Sequence, residues 1–247
     1  FKISLFLSAG NALSLAMKKN TGSCAAGNCF LCRYCMPEWV PAIELHKQVL
    51  TFKKGEVIFK EGEKVKGIYF LNSGNAKVHK YWAQGKEMIL RFAKQGDILG
   101  HRGFGNTDVY PVSATALQNV SACFIETDFF LKSLKINPDL TLMLMMFYSG
   151  ELQEAERRMR DLAHMDVKGR IADTFLMLQN RFGTDEAGCI NIELTRQDIA
   201  SFAGTIYETF FKVVSEMARG KIIKITGKKI KLLKLSKLET FARANTN

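Results

Sequence analysis

The stretch Thr195-Arg196-Gln197-Asp198-Ile199-Ala200-Ser201-Phe202-Ala203-Gly204-Thr205-Ile206-Tyr207-Glu208 decides the architecture of the C-terminal third of the chain. Thr195-x-x-Asp198 and Thr205-x-x-Glu208 both have the form in which a hydroxyl caps a helix start and a carboxylate lies in the first turn. Two capped helices are expected to begin ten residues apart. Ala200 is small enough for close helix contact, and Gly204 sits where a helix-turn-helix needs a residue tolerant of positive φ. Ile199, Ala203, Phe210 and Val213 supply the apolar faces that hold the pair. In such a unit the second helix enters the major groove with its first turns toward the bases. Tyr207, Glu208, Phe211 and Lys212 become the candidate readers, Glu208 accepting from a cytosine amino group and Lys212 donating to guanine or a phosphate. Thr195, Arg196, Gln197, Thr205 and Thr209 are placed to hold the DNA backbone.

The residues that follow strengthen this reading. A lysine-rich hairpin signal runs from Lys221 to Leu233 and turns at Thr226-Gly227, giving the element order of a winged helix. Residues 219–243 hold nine basic side chains against one acidic, Glu239, whereas the whole 247-residue chain has 35 Lys and Arg against 24 Asp and Glu, a net +11. Most of the excess charge thus lies in the expected wing and tail, where it suits phosphate contact and predicts salt-sensitive binding. With 47% hydrophobic and 24% charged residues, the chain reads as a soluble globular protein, and collagen-like, disordered and membrane classes are excluded. No membrane partner is expected. Phe1 to Ala16 is a broken apolar run with poor flanks for an export signal, so Met17 is taken as the natural start and the compartment as cytoplasmic.

Working upstream, Val49 to about Glu126 carries short apolar runs punctuated by glycines, the rhythm of an all-β unit of eight or so strands. Ile68-Tyr69-Phe70-Leu71 and Met88-Ile89-Leu90 are runs short enough for core strands. After Asn137-Pro138 the period lengthens to that of one long helix. Met145, Tyr148, Leu152, Ala155, Met159 and Leu162 recur as the seam of a coiled coil, flanked by Glu151, Glu154, Glu156, Arg157, Arg158 and Arg160. A two-fold dimer is expected, the alternative being a helix lying on its own domain. Met165-Asp166-Val167 breaks the pattern, a new amphipathic helix runs to Phe182, and Ile190-Asn191-Ile192 reads as a short strand.

Cys24, Cys29, Cys32 and Cys35 put four soft ligands on one short segment, which points to metal binding. Zinc would take four tetrahedral thiolates, and an iron-sulfur cluster three close cysteines plus a distant one. A reversible disulfide or inert thiols are the alternatives. Cys189, beside the expected short strand, reads as a small buried hydrophobe. The histidines are scattered, so His79 or His101 as a haem ligand is the weaker reading. With neither a nucleophile-base constellation nor a phosphate-binding Gly-rich loop, the chain does not read as an enzyme.

The order of β-roll, long helix, hinge and winged helix-turn-helix resembles the CRP/FNR family of bacterial transcription regulators. Lys54-Gly55-Glu56-Val57-Ile58-Phe59, Gly96-Asp97-Ile98-Leu99-Gly100, Asp166-Val167-Lys168-Gly169-Arg170-Ile171-Ala172 and Arg196-Gln197-Asp198-Ile199-Ala200 carry the likeness. It implies an α+β chain: an N-terminal cysteine segment (1–36), a cyclic-nucleotide-binding-type β-roll (37–136), a dimerisation helix (137–165) and a winged helix-turn-helix (166–247). It also implies a homodimer on double-stranded promoter DNA in contact with RNA polymerase. The effector pocket would fall at His101, Arg102 and Tyr110. His101-Arg102 and Tyr110-Pro111 replace the Glu and the Arg-Ser pair of the cyclic-AMP binders, so cyclic AMP is not expected. Lys212 stands where the family usually has Arg and lacks the rigid fork that reads guanine. Cys35-Met36-Pro37 matches the end of the FNR-type cysteine cluster, and Cys123 falls where those members place their distant ligand. The resemblance therefore implies a four-iron, four-sulfur cluster on Cys29, Cys32, Cys35 and Cys123, with Cys24 outlying, responding to oxygen or nitric oxide. The second reading is a small-molecule or haem effector in the roll with a structural zinc or redox thiols.

Overall fold

A computed structural model describes residues 29–82, 86–105 and 107–243. The expectations for residues 1–16, Met17 and Cys24 lie outside these. The chain enters through a single-turn helix, α1 (Phe30–Tyr34), then a 3-10 turn at Pro37–Trp39, then α2 (Val40–His46). Eight strands follow: β1 (Gln48–Phe52), β2 (Val57–Phe59), β3 (Gly67–Ser73), β4 (Ala76–Tyr81), β5 (Glu87–Ala93), β6 (Ile98–Leu99), β7 (Ser113–Ala116) and β8 (Val120–Glu126). They pair antiparallel into two four-stranded sheets, β1-β8-β3-β6 and β2-β7-β4-β5.

β3 and β6 of the first sheet are buried on both faces, so Ile68 to Leu71 and Ile98-Leu99 read as continuous apolar runs. Strand parity divides them. Tyr69, Leu71, Leu99, Ala122 and Phe124 point into the roll, where they meet Ala76, Val78, Tyr110 and Ala114 of the second sheet and its loops. Their neighbours Ile68, Phe70, Ile98, Cys123 and Ile125 face the other way, against Leu31, Ile43, Phe130, Leu140 and Leu144 of the helices. Cys123 is paired with Val49 on one side and Phe70 on the other. A slip of one residue would turn its thiol into the roll.

Helix α3 (Thr127–Ile136) leads through the buried Asn137 into α4 (Pro138–His164), 27 residues long and so about 40 Å from end to end. Met165 ends it in extended backbone, and Asp166 caps α5 (Val167–Phe182) by accepting the Gly169 N–H at 2.6 Å. The rest is α6 (Arg196–Phe202), α7 (Tyr207–Arg219), the hairpin β9 (Ile223–Thr226) and β10 (Lys229–Leu232), and α8 (Leu235–Arg243). Ile171, Phe175, Leu178, Ile199, Phe210, Val214, Met217 and Leu238 form their core, which Ile89 and Phe92 of β5 join from the roll.

Two local expectations need correction. Residues 190–192 form no strand: Ile190 makes one bridge to Thr184 and donates its N–H to the Ile230 carbonyl at 2.8 Å. Cys189 accordingly lies in a turn, half-buried, its N–H held by the Asp185 carboxylate at 2.9 Å. The second capping box is also absent. Gly204 takes φ +65, the Thr205 N–H returns to the Ala200 carbonyl, and the N-cap falls on Ile206 with no side-chain cap. The tight turn carries the chain one residue further before it coils, and Thr205 is left outside the helix. No helix among the described residues is long and apolar enough to cross a membrane.

Candidate nucleic-acid interface and cysteine site

Thr195 and Asp198 form a complete capping box at the start of α6: the Asp198 N–H donates to Thr195 Oγ1 at 3.0 Å and the Thr195 N–H to Asp198 Oδ2 at 3.1 Å. Ile199, Ala200 and Ala203 are buried against α7, whose own Phe210, Val214 and Met217 face inward. The opposite stripe of α7 is exposed: Tyr207, Glu208, Phe211 and Lys212 all reach solvent. Tyr207 and Phe211 stack with centroids 6.3 Å apart, and Arg196 lies 5.9 Å over the Phe211 ring. Thr195 and Gln197 are exposed, while Arg196, Thr205 and Thr209 are half-buried. Gln197 donates to Ser201 at 3.4 Å. A groove of about 330 Å³ runs between Thr195, Arg196, Gln197 and Tyr207 on one side and Gly227 and Lys228 of the hairpin turn on the other. Lys228 belongs to the basic run expected from the sequence to contact phosphate, and it lines this groove.

At the other end of the molecule Cys29, Cys35 and Cys123 are buried in one apolar cluster and Cys32 packs against it. Cys29 caps α1, its Sγ accepting the Cys32 N–H at 3.4 Å. Cys123 Sγ accepts from Asn72 at 3.2 Å. The Cys35 thiol donates to Asn137 Oδ1 at 3.3 Å, and burial pushes its pKa up. Asn137, missed from sequence, is the junction: its carbonyl also accepts the Met36 N–H at 2.9 Å and its amide donates to the Ser133 carbonyl at 2.7 Å. Trp39 donates to Ser133 Oγ at 2.9 Å. Four thiols suit a sulfur-rich iron cluster. Among the described residues no three Cys, His, Asp or Glu side chains are gathered closely enough to hold a metal ion, so this arrangement ranks neither zinc nor an iron-sulfur cluster above the other.

The expected effector residues line a cavity of about 10 Å³, space for hardly one water. Tyr110 is locked in the roll, its hydroxyl donating to the Gly67 carbonyl at 2.8 Å and its ring stacked 4.3 Å from Phe59. His101 is 3% exposed and burial lowers its pKa, while Arg102 reaches Glu151 of α4 at 2.9 Å. Of the other haem candidate, His79, Nε2 lies 2.8 Å from Thr115 Oγ1, while Nδ1 stands 3.0 Å from Glu87 without making a hydrogen bond.

A β-roll joined by a long helix to a winged helix-turn-helix with an exposed reading face defines a DNA-binding regulator. Residues 49–137 match the cyclic nucleotide-binding domain model and residues 169–241 the Crp-like helix-turn-helix domain model. The CRP-like cAMP-activated global transcriptional regulator of Mycobacterium tuberculosis is 27% identical over 209 residues, 84% of this chain and 93% of that protein. The anaerobic regulatory protein of Bacillus subtilis is 29% identical over 188 residues, 74% of this chain and 79% of that one. A CRP/FNR-family transcriptional regulator from Thermus thermophilus superimposes with a TM-score of 0.63 at 26% identity, over 80% of this chain and 100% of that structure. The chain belongs to the CRP/FNR family and is a DNA-binding transcription regulator, not an enzyme.

Proposed function

We propose that the chain is a homodimer that reads a dyad-symmetric promoter site in the cytoplasm, meets RNA polymerase there, and is governed by a four-iron, four-sulfur cluster on Cys29, Cys32, Cys35 and Cys123. It would work as four segments divided near residues 36, 136 and 165. The observation that carries the sensor reading is that Cys29, Cys35 and Cys123 are buried in one apolar cluster with Leu140 and Leu144 of α4, and that Cys32 packs against it. When bound, such a cluster supplies thiolate-ligated iron whose integrity depends on oxygen or nitric oxide. The chain's own residues do the rest. Holding Cys29, Cys32 and Cys35 to Cys123 fixes α1 on β8, and Asn137 passes that position to the first turn of α4. The two states must differ in cluster affinity for the signal to shift them.

Dimerisation is supported by the seam itself: Met145, Leu152 and Met159 are 60, 61 and 65% exposed on one stripe of α4, an apolar face that a second α4 would cover. Tyr207, Glu208, Phe211 and Lys212 would read bases, with Thr195, Arg196, Gln197, Thr205 and Thr209 on the phosphates. The test is anaerobic purification followed by iron and acid-labile sulfide analysis and promoter binding before and after air. About four irons and four sulfides per chain are expected, with both the cluster and tight promoter binding lost in air. A metal-free protein, or zinc without sulfide, overturns the sensor reading.

A further inference from the structure

We propose that the β-roll pocket is liganded from within: the carboxylate of Glu151, carried on α4, fills the place between Arg91 and Arg102 that an anionic effector would need. Glu151 Oε1 accepts from Arg91 at 3.0 Å and Oε2 from Arg102 at 2.9 Å, with His101 Nε2 3.7 Å away. The side chains of Arg91, Glu151 and His101 are 12, 18 and 4% exposed. One turn earlier on the same face of α4, the Tyr148 hydroxyl donates to the His101 carbonyl at 2.5 Å. Arg91 is held on its other side, donating to the Ile98 carbonyl and standing 5.9 Å over Phe147.

The argument is one of charge and space. The Arg91 guanidinium, 12% exposed, needs a counter-charge, and the Glu151 carboxylate supplies it while also accepting from the 32% exposed Arg102. The cavity left inside the roll is about 10 Å³, and the open groove of about 980 Å³ that Arg91 and Arg102 also line is already furnished with the Glu151 carboxylate. An incoming phosphate would have to expel a carboxylate that the chain presents at high effective concentration, and if it did not, it would lie against a second negative charge. An anion at this point would touch the roll and the long helix together. Glu151 makes that bridge permanent, so the helix is docked on the roll with no ligand added, and signals must enter elsewhere. This inference does not rest on the cluster reading, although Phe147 of α4 touches both His101 and Phe30 of α1.

The test compares thermal unfolding of the full chain in inorganic phosphate and in chloride at matched ionic strength. Wild type is expected to unfold at the same temperature in both and to be unmoved by cyclic AMP. Glu151→Ala should unfold lower by roughly 5–10 °C, as expected for a buried charge left unpaired in a chain of this size. Phosphate, and not chloride, should recover part of the loss by entering the vacated site. Glu151→Gln, which keeps the shape, covers the case in which the alanine variant does not fold and should show the same phosphate-specific recovery. Adding Arg102→Met to Glu151→Gln should abolish that recovery, which a merely structural role would not predict. A wild type stabilised by cyclic AMP, or a Glu151→Gln chain indifferent to phosphate, would overturn the proposal.

Discussion

Asp198 closes the capping box of α6 through Oδ2 while its Oδ1 accepts Lys77 Nζ of β4 at 2.8 Å, and Lys77 reaches Glu87 at the same distance. Burial alone would raise the Asp198 pKa, but the bonds from Lys77 and Thr195 outweigh it and hold the carboxyl below the usual range. Asp198→Asn keeps a cap and loses the ion pair, so it should cost about 1–3 kcal/mol in denaturant unfolding near neutral pH. Because the carboxyl is held below its unfolded value of about 3.9, its contribution is complete above that pH and fades as the pH falls through the lowered value. The gap between wild type and variant should therefore close in acid; a gap constant with pH would refute the ion-pair account. The capping box was legible because its partners stand three residues apart in sequence. Lys77, 121 residues away, was not. The identical local pattern at Thr205 misled, since a capping motif says nothing of the left-handed turn at Gly204, where an added Cβ would meet Leu162 Cδ2 at 2.4 Å.

Helix α4 shows what a period can and cannot reveal. Its exposed stripe of Met145, Leu152 and Met159 was legible from the seven-residue repeat. Its charged residues stand on the flanks of that seam, yet Glu151 is fastened to the roll and Arg158 turns inward. Arg158 donates to the Leu90 and Phe202 carbonyls and stacks 4.0 Å over the Phe202 ring. Burial holds its pKa down to about 10. Charged residues on a helix carry no periodic mark for which of them meets another domain. If the seam joins two chains, Leu152→Glu places like charges face to face in an apolar interface and should convert dimer to monomer in sedimentation equilibrium while far-ultraviolet dichroism stays that of the wild type. A variant that remains dimeric would move the interface off this stripe.

At the scale of the whole molecule, the roll and the winged domain share a core. Phe92 of β5 packs on Phe202 of α6 with centroids 4.9 Å apart, Lys94 donates to the Arg181 carbonyl at 2.6 Å, and Arg181 pairs with Asp97. With Lys77 and Arg158, these contacts set the orientation of the reading helix relative to α4. The β-roll, long helix and helix-turn-helix were each legible in the sequence because each is specified by local periodicity and turn chemistry; their docking rests on pairs separated by 44 to 121 residues and left no local trace. Domains that share buried apolar surface and ion pairs unfold together, whereas weakly joined ones unfold apart. Wild type should accordingly give a single calorimetric transition whose van't Hoff and calorimetric enthalpies agree. Phe202→Ala combined with Lys77→Met removes one apolar and one ionic contact from the junction. It should split the transition in two, the winged domain melting first because it gives up part of the core that β5 completes. Two transitions already present in wild type would mean that β5 does not fix the winged domain, and that the reading helix is oriented by DNA or by the second chain instead.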